Sequence, residues 1–196
     1  ATGVKLVSAL NTVDAPKTVA SGVNSIVATS AGTAITVYAY TTSTSVGSVT
    51  ITNGSYSTIV YVSGIAGSAS KVSVWGPTSV AVGTVPTVSV SATDVFNNPV
   101  GSENISVTLI GSTFTDGSIT KTITTAAATN AATGAVLGVG TATLATAVSG
   151  TITIAATDAS IANSATGLPA AIKSVATSFV VSDLNATITI LNAQLA

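Results

Sequence analysis

The stretch PTVSVSATDVFNNPVGSENISVTLI (86–110) decides the class of fold. Val88, Val90 and Ala92 alternate with Ser89, Ser91 and Thr93, and after a turn Ile105, Val107 and Leu109 alternate with Ser106 and Thr108. A period of two places each set on one face of an extended chain, so both runs read as half-buried strands. Between them Asp94 and Asn97-Asn98-Pro99 supply residues that hydrogen-bond or stiffen their own backbone at turns. The same dilution of apolar residues by Thr and Ser recurs in GTITIAATDA (150–159). No uninterrupted apolar run of ~18 residues, the length a membrane helix requires, occurs anywhere in the chain.

Working outward, short strand-like runs occur at 4–7, 23–29, 34–40, 46–51, 57–62 and 71–75, and again at 85–96, 105–110, 118–124, 136–147 and 151–157. Strands this short, at this spacing, with Gly-containing turns between them, read as sandwiches. Asn53-Gly54 is the strongest hairpin signal, because a type I′ loop needs two positive φ angles. Gly64 to Ser70 and then Gly76-Pro77 punctuate the chain, and 124–135 is small and polar, a surface excursion. The expected architecture is all-β: an immunoglobulin-like sandwich over 1–69, a second over 70–166, and a linker with a C-terminal helix over 167–196. A lipid-facing barrel shares the period of two. Against it, the alternate face is Ser, Thr and Ala, and the aromatics (Tyr38, Tyr40, Tyr56, Tyr61, Trp75, Phe96, Phe114, Phe179) are too few for two interfacial girdles.

The tail changes period. Val181, Leu184, Ile188, Leu191 and Leu195 follow the steps of a coiled-coil seam, with Ser182 at the N-cap position and Asp183 in the first turn. A packed amphipathic helix or a strand through Thr187 to Ile190 are the alternatives. Two heptads are too short to stand alone, so a true seam implies a natural chain that continues past Ala196.

Composition closes most routes to chemistry. The 196 residues include five Lys and six acidic side chains, and no His, Cys, Arg or Met. General acid-base catalysis near neutral pH and thiol chemistry lose their usual groups, and a transition-metal site loses imidazole and thiolate. No catalytic residue and no cofactor is expected. Lys5, Lys17, Lys71, Lys121 and Lys173 lie far apart in sequence and form no basic stripe for phosphate, so no nucleic-acid partner is expected. The absence of Cys alongside the Ala-Val-Thr-Ser bias suits an exported bacterial surface protein. Edge strands of Thr and Ser without guarding charges favour pairing between copies.

The residues 71–111 resemble the opening of a bacterial immunoglobulin-like domain of the invasin and intimin type: Gly83, a long strand to Asp94, the turn Asn97-Asn98-Pro99-Val100, and the strand from Ile105 to Leu109. The later stretch 138–160 is similar to that family's closing strand pair. Phe96 in the turn, the insertion at 124–135 and the uncharged faces depart from the pattern. With the compositional bias and the tail, the chain is similar to bacterial surface-layer proteins and large repetitive adhesins. The resemblance implies repeating modules on the outer cell surface and supplies no catalytic residue.

The expected function is therefore a structural subunit of a self-assembling S-layer, its partners further copies of itself and its tail an attachment to the cell envelope. An adhesin that binds host or neighbouring cells, and a virion or phage decoration protein, are the rivals. Asp94, Asn97 and Asn98 are candidate oxygen ligands for calcium, set against a self-bonded Asx-type turn. Asn53, Asn104 and Asn185 stand in N-x-Ser/Thr sequons and are candidate glycosylation sites. Lys71 or Lys121, with an Asn and Glu103 or an Asp, are the side chains an internal isopeptide bond would use. Gly138-Val139-Gly140 precedes a strand rather than a helix, so it offers no phosphate site.

Overall fold

The computed structural model describes residues 1–8, 22–29, 32–163 and 168–195. The chain divides into two compact units, Ala1–Gly67 with Ser164–Pro169, and Ser68–Asn163 with Ala170–Ala196.

The second unit is a two-sheet sandwich. Its strands are β5 (Lys71–Trp75), β6 (Ser79–Ala81), β7 (Thr87–Thr93), β8 (Asn104–Ile110), β9 (Thr113–Phe114), β10 (Thr120–Thr124), β11 (Val139–Ala145), β12 (Gly150–Thr157) and β13 (Ser174–Ser182); β1 to β4 belong to the first unit. One sheet runs β5-β7-β11-β9 and the other β10-β8-β12-β13-β6. All pairings are antiparallel except β6 with β13. The chain changes sheets between β5 and β6, at Gly76-Pro77, where proline has no N–H to offer a ladder. This is the immunoglobulin-type arrangement.

Alternation places Val88, Val90 and Ala92 of β7 opposite Ile105, Val107 and Leu109 of β8 and Ile152, Ile154 and Ala156 of β12 in one buried cluster. Because most of these side chains are small, the two large buried rings, Phe114 and Phe179, fill much of the remaining space. Trp75, the sole tryptophan, is 45% exposed at the end of β5. Buried Thr146 donates from its hydroxyl to the Thr84 carbonyl at 2.7 Å, pinning the β6–β7 connection to the end of β11.

The segment expected as a linker is partly β13. Val175, Thr177, Phe179 and Val181 alternate inward, and eight register pairs join β13 to β12. Val181, the first position of the expected seam, therefore belongs to the sandwich core. The strand stops at Ser182, and α1 (Leu184–Leu195) follows with Asp183, not Ser182, as its cap: Asp183 Oδ1 accepts the Ala186 N–H at 3.0 Å.

The first unit is also all-β, with β1 (Lys5–Val7) paired to β2 (Tyr38–Tyr40) and β3 (Val46–Asn53) paired to β4 (Tyr56–Ser63). Val4 and Leu6 are its buried apolar residues among those described. The expected strand at 23–29 reduces to one bridge, Leu6 with Val23, because among the described residues no strand runs beside the rest of it. The β3–β4 loop is Gly54-Ser55 rather than Asn53-Gly54. Gly54 has φ +60°, while Ser55 is not among the positive-φ residues, the pattern of a type II′ turn. The pairing is thereby moved by two residues from the type I′ expectation, and Val49 faces Val60 rather than Thr58.

Phe114→Ala should destabilise the second unit by about 3–5 kcal/mol, since a fully buried ring leaves a cavity that small neighbours cannot fill. Urea unfolding followed by Trp75 fluorescence reads this as a lower midpoint at unchanged slope.

Candidate functional site

The turn after β7 gathers the three residues expected as calcium ligands, and it occupies their polar atoms. Asp94 is buried, and its Oδ1 accepts the N–H groups of Phe96 and Asn98, each at 2.9 Å. Its Oδ2 accepts the Asn98 side-chain amide at 2.9 Å. Asn97 sits in the left-handed region at φ 67°, a conformation Asn tolerates, and its Oδ1 accepts the Lys71 ammonium at 2.8 Å. The cluster therefore presents N–H groups and an ammonium where a hard cation requires free oxygens. Among the described residues, no group of three or more acidic side chains could hold a metal ion.

A second such turn, not among the expected site residues, carries the same sequence signal. Ala-Thr-Asp occurs at 92–94 and again at 156–158, each time closing an alternating strand. Asp158 is buried, with Oδ1 accepting the Ser160 N–H at 2.8 Å and its hydroxyl at 2.6 Å. Its Oδ2 meets no hydrogen-bond partner among the described residues. These carboxylates hold loops at strand ends, which is a structural task.

The sequon residues Asn53, Asn104 and Asn185 are all exposed: at the end of β3, at the start of β8, and in the first turn of α1. Asn104 Oδ1 accepts the Thr124 hydroxyl at 2.7 Å. Of the isopeptide candidates, a Lys and an Asn do meet, while Glu103 lies with another partner. Lys71 meets Asn97, Lys121 meets Asp116 at 2.8 Å, and Glu103 accepts the Ser160 hydroxyl at 3.3 Å. The Lys121 hydrogen bond, then those from Ser118, hold the exposed Asp116 carboxyl well below the usual aspartate range. Any stability from that pair is present above pH ~4 and is lost only as pH falls through the depressed value. Exposure to water keeps the contribution small. Lys17 lies outside the described residues.

What remains is surface. The outward face of the five-stranded sheet carries Thr120, Thr122 and Thr124 of β10, Ser106 and Thr108 of β8, Thr151, Thr153 and Thr157 of β12, and Ser174 and Ser178 of β13. Hydroxyls meet across the strands at 3.2 Å (Thr108 with Thr120) and 2.9 Å (Thr157 with Ser174). No charged residue stands on this face.

The edges differ from the expectation that none is guarded. Lys5 lies on β1, Lys71 on the edge strand β5 and Lys121 on the edge strand β10. The remaining edges of the second unit, β6 and β9, are three and two residues long. A lysine on an edge, or a very short edge, discourages pairing with another chain. The β3–β4 hairpin has neither protection. Both strands are eight residues long and uncharged, and among the described residues their ladder is extended only by the bridge of Ser48 to Thr2. Tyr56 is 82% and Tyr61 72% exposed. Beside the hairpin lies a cleft of about 790 Å3 lined by Leu6, Ile26, Ile35, Val37, Val49, Ile51, Val60 and Val62.

Asp94→Ala should lower the stability of the second unit by about 1–3 kcal/mol, because it strands two part-buried N–H groups and the Asn98 amide. Calcium at millimolar concentration should leave the thermal midpoint where magnesium leaves it. A calcium-specific rise would mean that the ion displaces Lys71 and the N–H donors.

No protein-family model matches the chain, and no curated protein matches it in sequence. Among solved structures it is similar to domains 4 and 5 of the S-layer protein SbsC, at a TM-score of 0.37 and 19% identity over 70% of this chain and 57% of that one. It is also similar to a glycosyl hydrolase family 2 member from Bacteroides cellulosilyticus, at a TM-score of 0.40 and 10% identity over 76% of this chain. A member of the same hydrolase family from Bacteroides cellulosilyticus DSM 14838 gives 0.38 and 10% over 74%. The chain spans little more than half the length of the first and 19% of each hydrolase. Fits this loose carry no argument about function.

Proposed function

We propose that this chain is a structural, non-catalytic subunit of a self-assembling bacterial surface layer, located at the cell surface. The observation that carries the reading is the distribution of charge over edges. Three of the five lysines stand on edge strands or on the short β1–β2 ladder, and the other edges of the sandwich are two or three residues long. Against that background the longest hairpin among the described residues of the first unit is left uncharged, with Val49, Ile51, Val60 and Val62 on one face and exposed Ile59 and Tyr61 among Ser and Thr on the other.

Pairing of such an edge with another chain satisfies backbone N–H and C=O groups in a continuous ladder, and covering Ile59, Tyr61 and Val60 removes apolar surface from water. Charge repulsion does not oppose the contact. The lysine-bearing edges of the second unit direct association away from the sandwich, which is how a subunit keeps one geometry of contact instead of aggregating at every edge. The uncharged hydroxyl face of the five-stranded sheet suits close lateral packing between neighbours. No His, Cys or Arg is available for chemistry.

Concentrated protein should form sheets or tubes in negative-stain microscopy. The double variant Ile59→Lys, Tyr61→Lys places charge on exposed positions of β4, so the fold should persist while the concentration needed for assembly rises at least about tenfold, equivalent to ~1.4 kcal/mol per contact. A wild-type chain that stays monodisperse at high concentration overturns the reading.

A further inference from the structure

The tail and the open hairpin fit each other. Leu184-Asn-Ala-Thr-Ile-Thr-Ile190 alternates without exception: Leu184, Ala186, Ile188 and Ile190 are apolar, and Asn185, Thr187 and Thr189 are polar. That is a strand's period, yet the segment is held as α1. The helix is weakly founded. Thr187 to Ile190 are four β-branched residues in a row, whose side chains lose rotamer freedom in a helix. The hydroxyls of Thr187 and Thr189 bond back to the carbonyls of Asp183 and Asn185 at 3.0 and 2.9 Å, a pattern that slightly destabilises helices. At twelve residues the helix is marginal on its own, and it buries none of them. Little opposes its conversion to a strand.

The hairpin lacks what that strand would provide. In the observed register Val49, Ile51, Val60 and Val62 share one face, the face that lines the cleft, and the outer edge of β4 pairs with no described strand. Seven extended residues span about 23 Å, within the ~27 Å of an eight-residue strand. A strand added to β4 with its apolar residues toward the cleft continues that face, and its Asn and Thr residues face away. Both segments are free of charge. In the structure the segment is helical and buries none of its residues.

We infer that residues 184–190 of one copy leave the helix and add as a β-strand to the outer edge of β4 in a second copy, linking subunits tail to first unit. This rests on the self-assembly reading and names the contact that carries it; the mode is strand addition to an exposed edge.

The position that separates this from a helical seam is Ile190. It points into the cleft in the strand, whereas Leu184, Ile188, Leu191 and Leu195 form the stripe of the helix and Ile190 lies off it. Ile190 and Leu195 are both exposed, so Ile190→Lys and Leu195→Lys should each fold with the wild-type unfolding midpoint. Ile190→Lys should raise the assembly concentration at least about tenfold and Leu195→Lys by less than about twofold. The reverse order overturns the inference in favour of a helical seam. In a second measurement, a synthetic peptide of residues 183–192 is added to the full-length Ile190→Lys chain, and the amides of 56–63 should become protected from hydrogen exchange. No protection, alongside sheets that form equally well with Ile190→Lys, overturns the inference and leaves the surface-layer reading standing. Protection by the peptide with no assembly of the wild type does the opposite. Protection, in dilute wild-type chain and independent of concentration, of the β4 amides that point away from β3 assigns the strand to the same copy and overturns the exchange between copies.

Discussion

An unpaired strand edge is a row of backbone donors and acceptors that will take up any extended chain brought to it, and every feature of this molecule that bears on association follows from how that row is handled. A charged protein blocks its edges in many ways. This one has 11 charged side chains in 196 residues and must place them sparingly. Lys71 and Lys121 stand on the two longer edges of the sandwich, and shortness protects the other two. The hairpin of Val46 to Ser63 is the place where neither device is used.

The sandwich itself meets a related constraint, since side chains as small as Val and Ala remove little apolar area each. It compensates by number and order: nine strands, strict alternation on β7, β8 and β12, and aromatic rings at Phe114 and Phe179 where the two sheets leave room. Loops are held by buried polar groups of their own. Asp94 and Asp158 close the strands that precede them, and Thr125 and Thr146 tie connections to neighbouring carbonyls. In a chain so poor in charge, the two buried acidic residues belong to the scaffold. The first unit has no comparable core among its described residues, so its stability leans on the β3–β4 ladder.

The strands of the second unit were legible because one side of each is buried and the other is wet, which writes a period of two into the residues. β13 carried the same signal in Val175, Phe179 and Val181, and the heptad-like spacing that begins at Val181 masked it. The run at 23–29 was β-prone yet has no ladder with any described strand, because strand propensity needs a neighbour to pair with. The Asp94 turn was legible as turn chemistry. Its choice between calcium and its own N–H groups was not, since that depends on where Lys71 arrives from β5, 26 residues away in sequence.

From the sequence alone came the all-β class, the strands of the second unit, and the absence of His, Cys and Arg that removes the usual catalytic groups, since these depend on residue type and local period. Tertiary structure decided which strands became edges, and therefore what each lysine does. A lysine on an inner strand and one on an outer strand look alike in one dimension; only the order β10-β8-β12-β13-β6 and β5-β7-β11-β9 turns Lys121 and Lys71 into guards and leaves β3 and β4 without one.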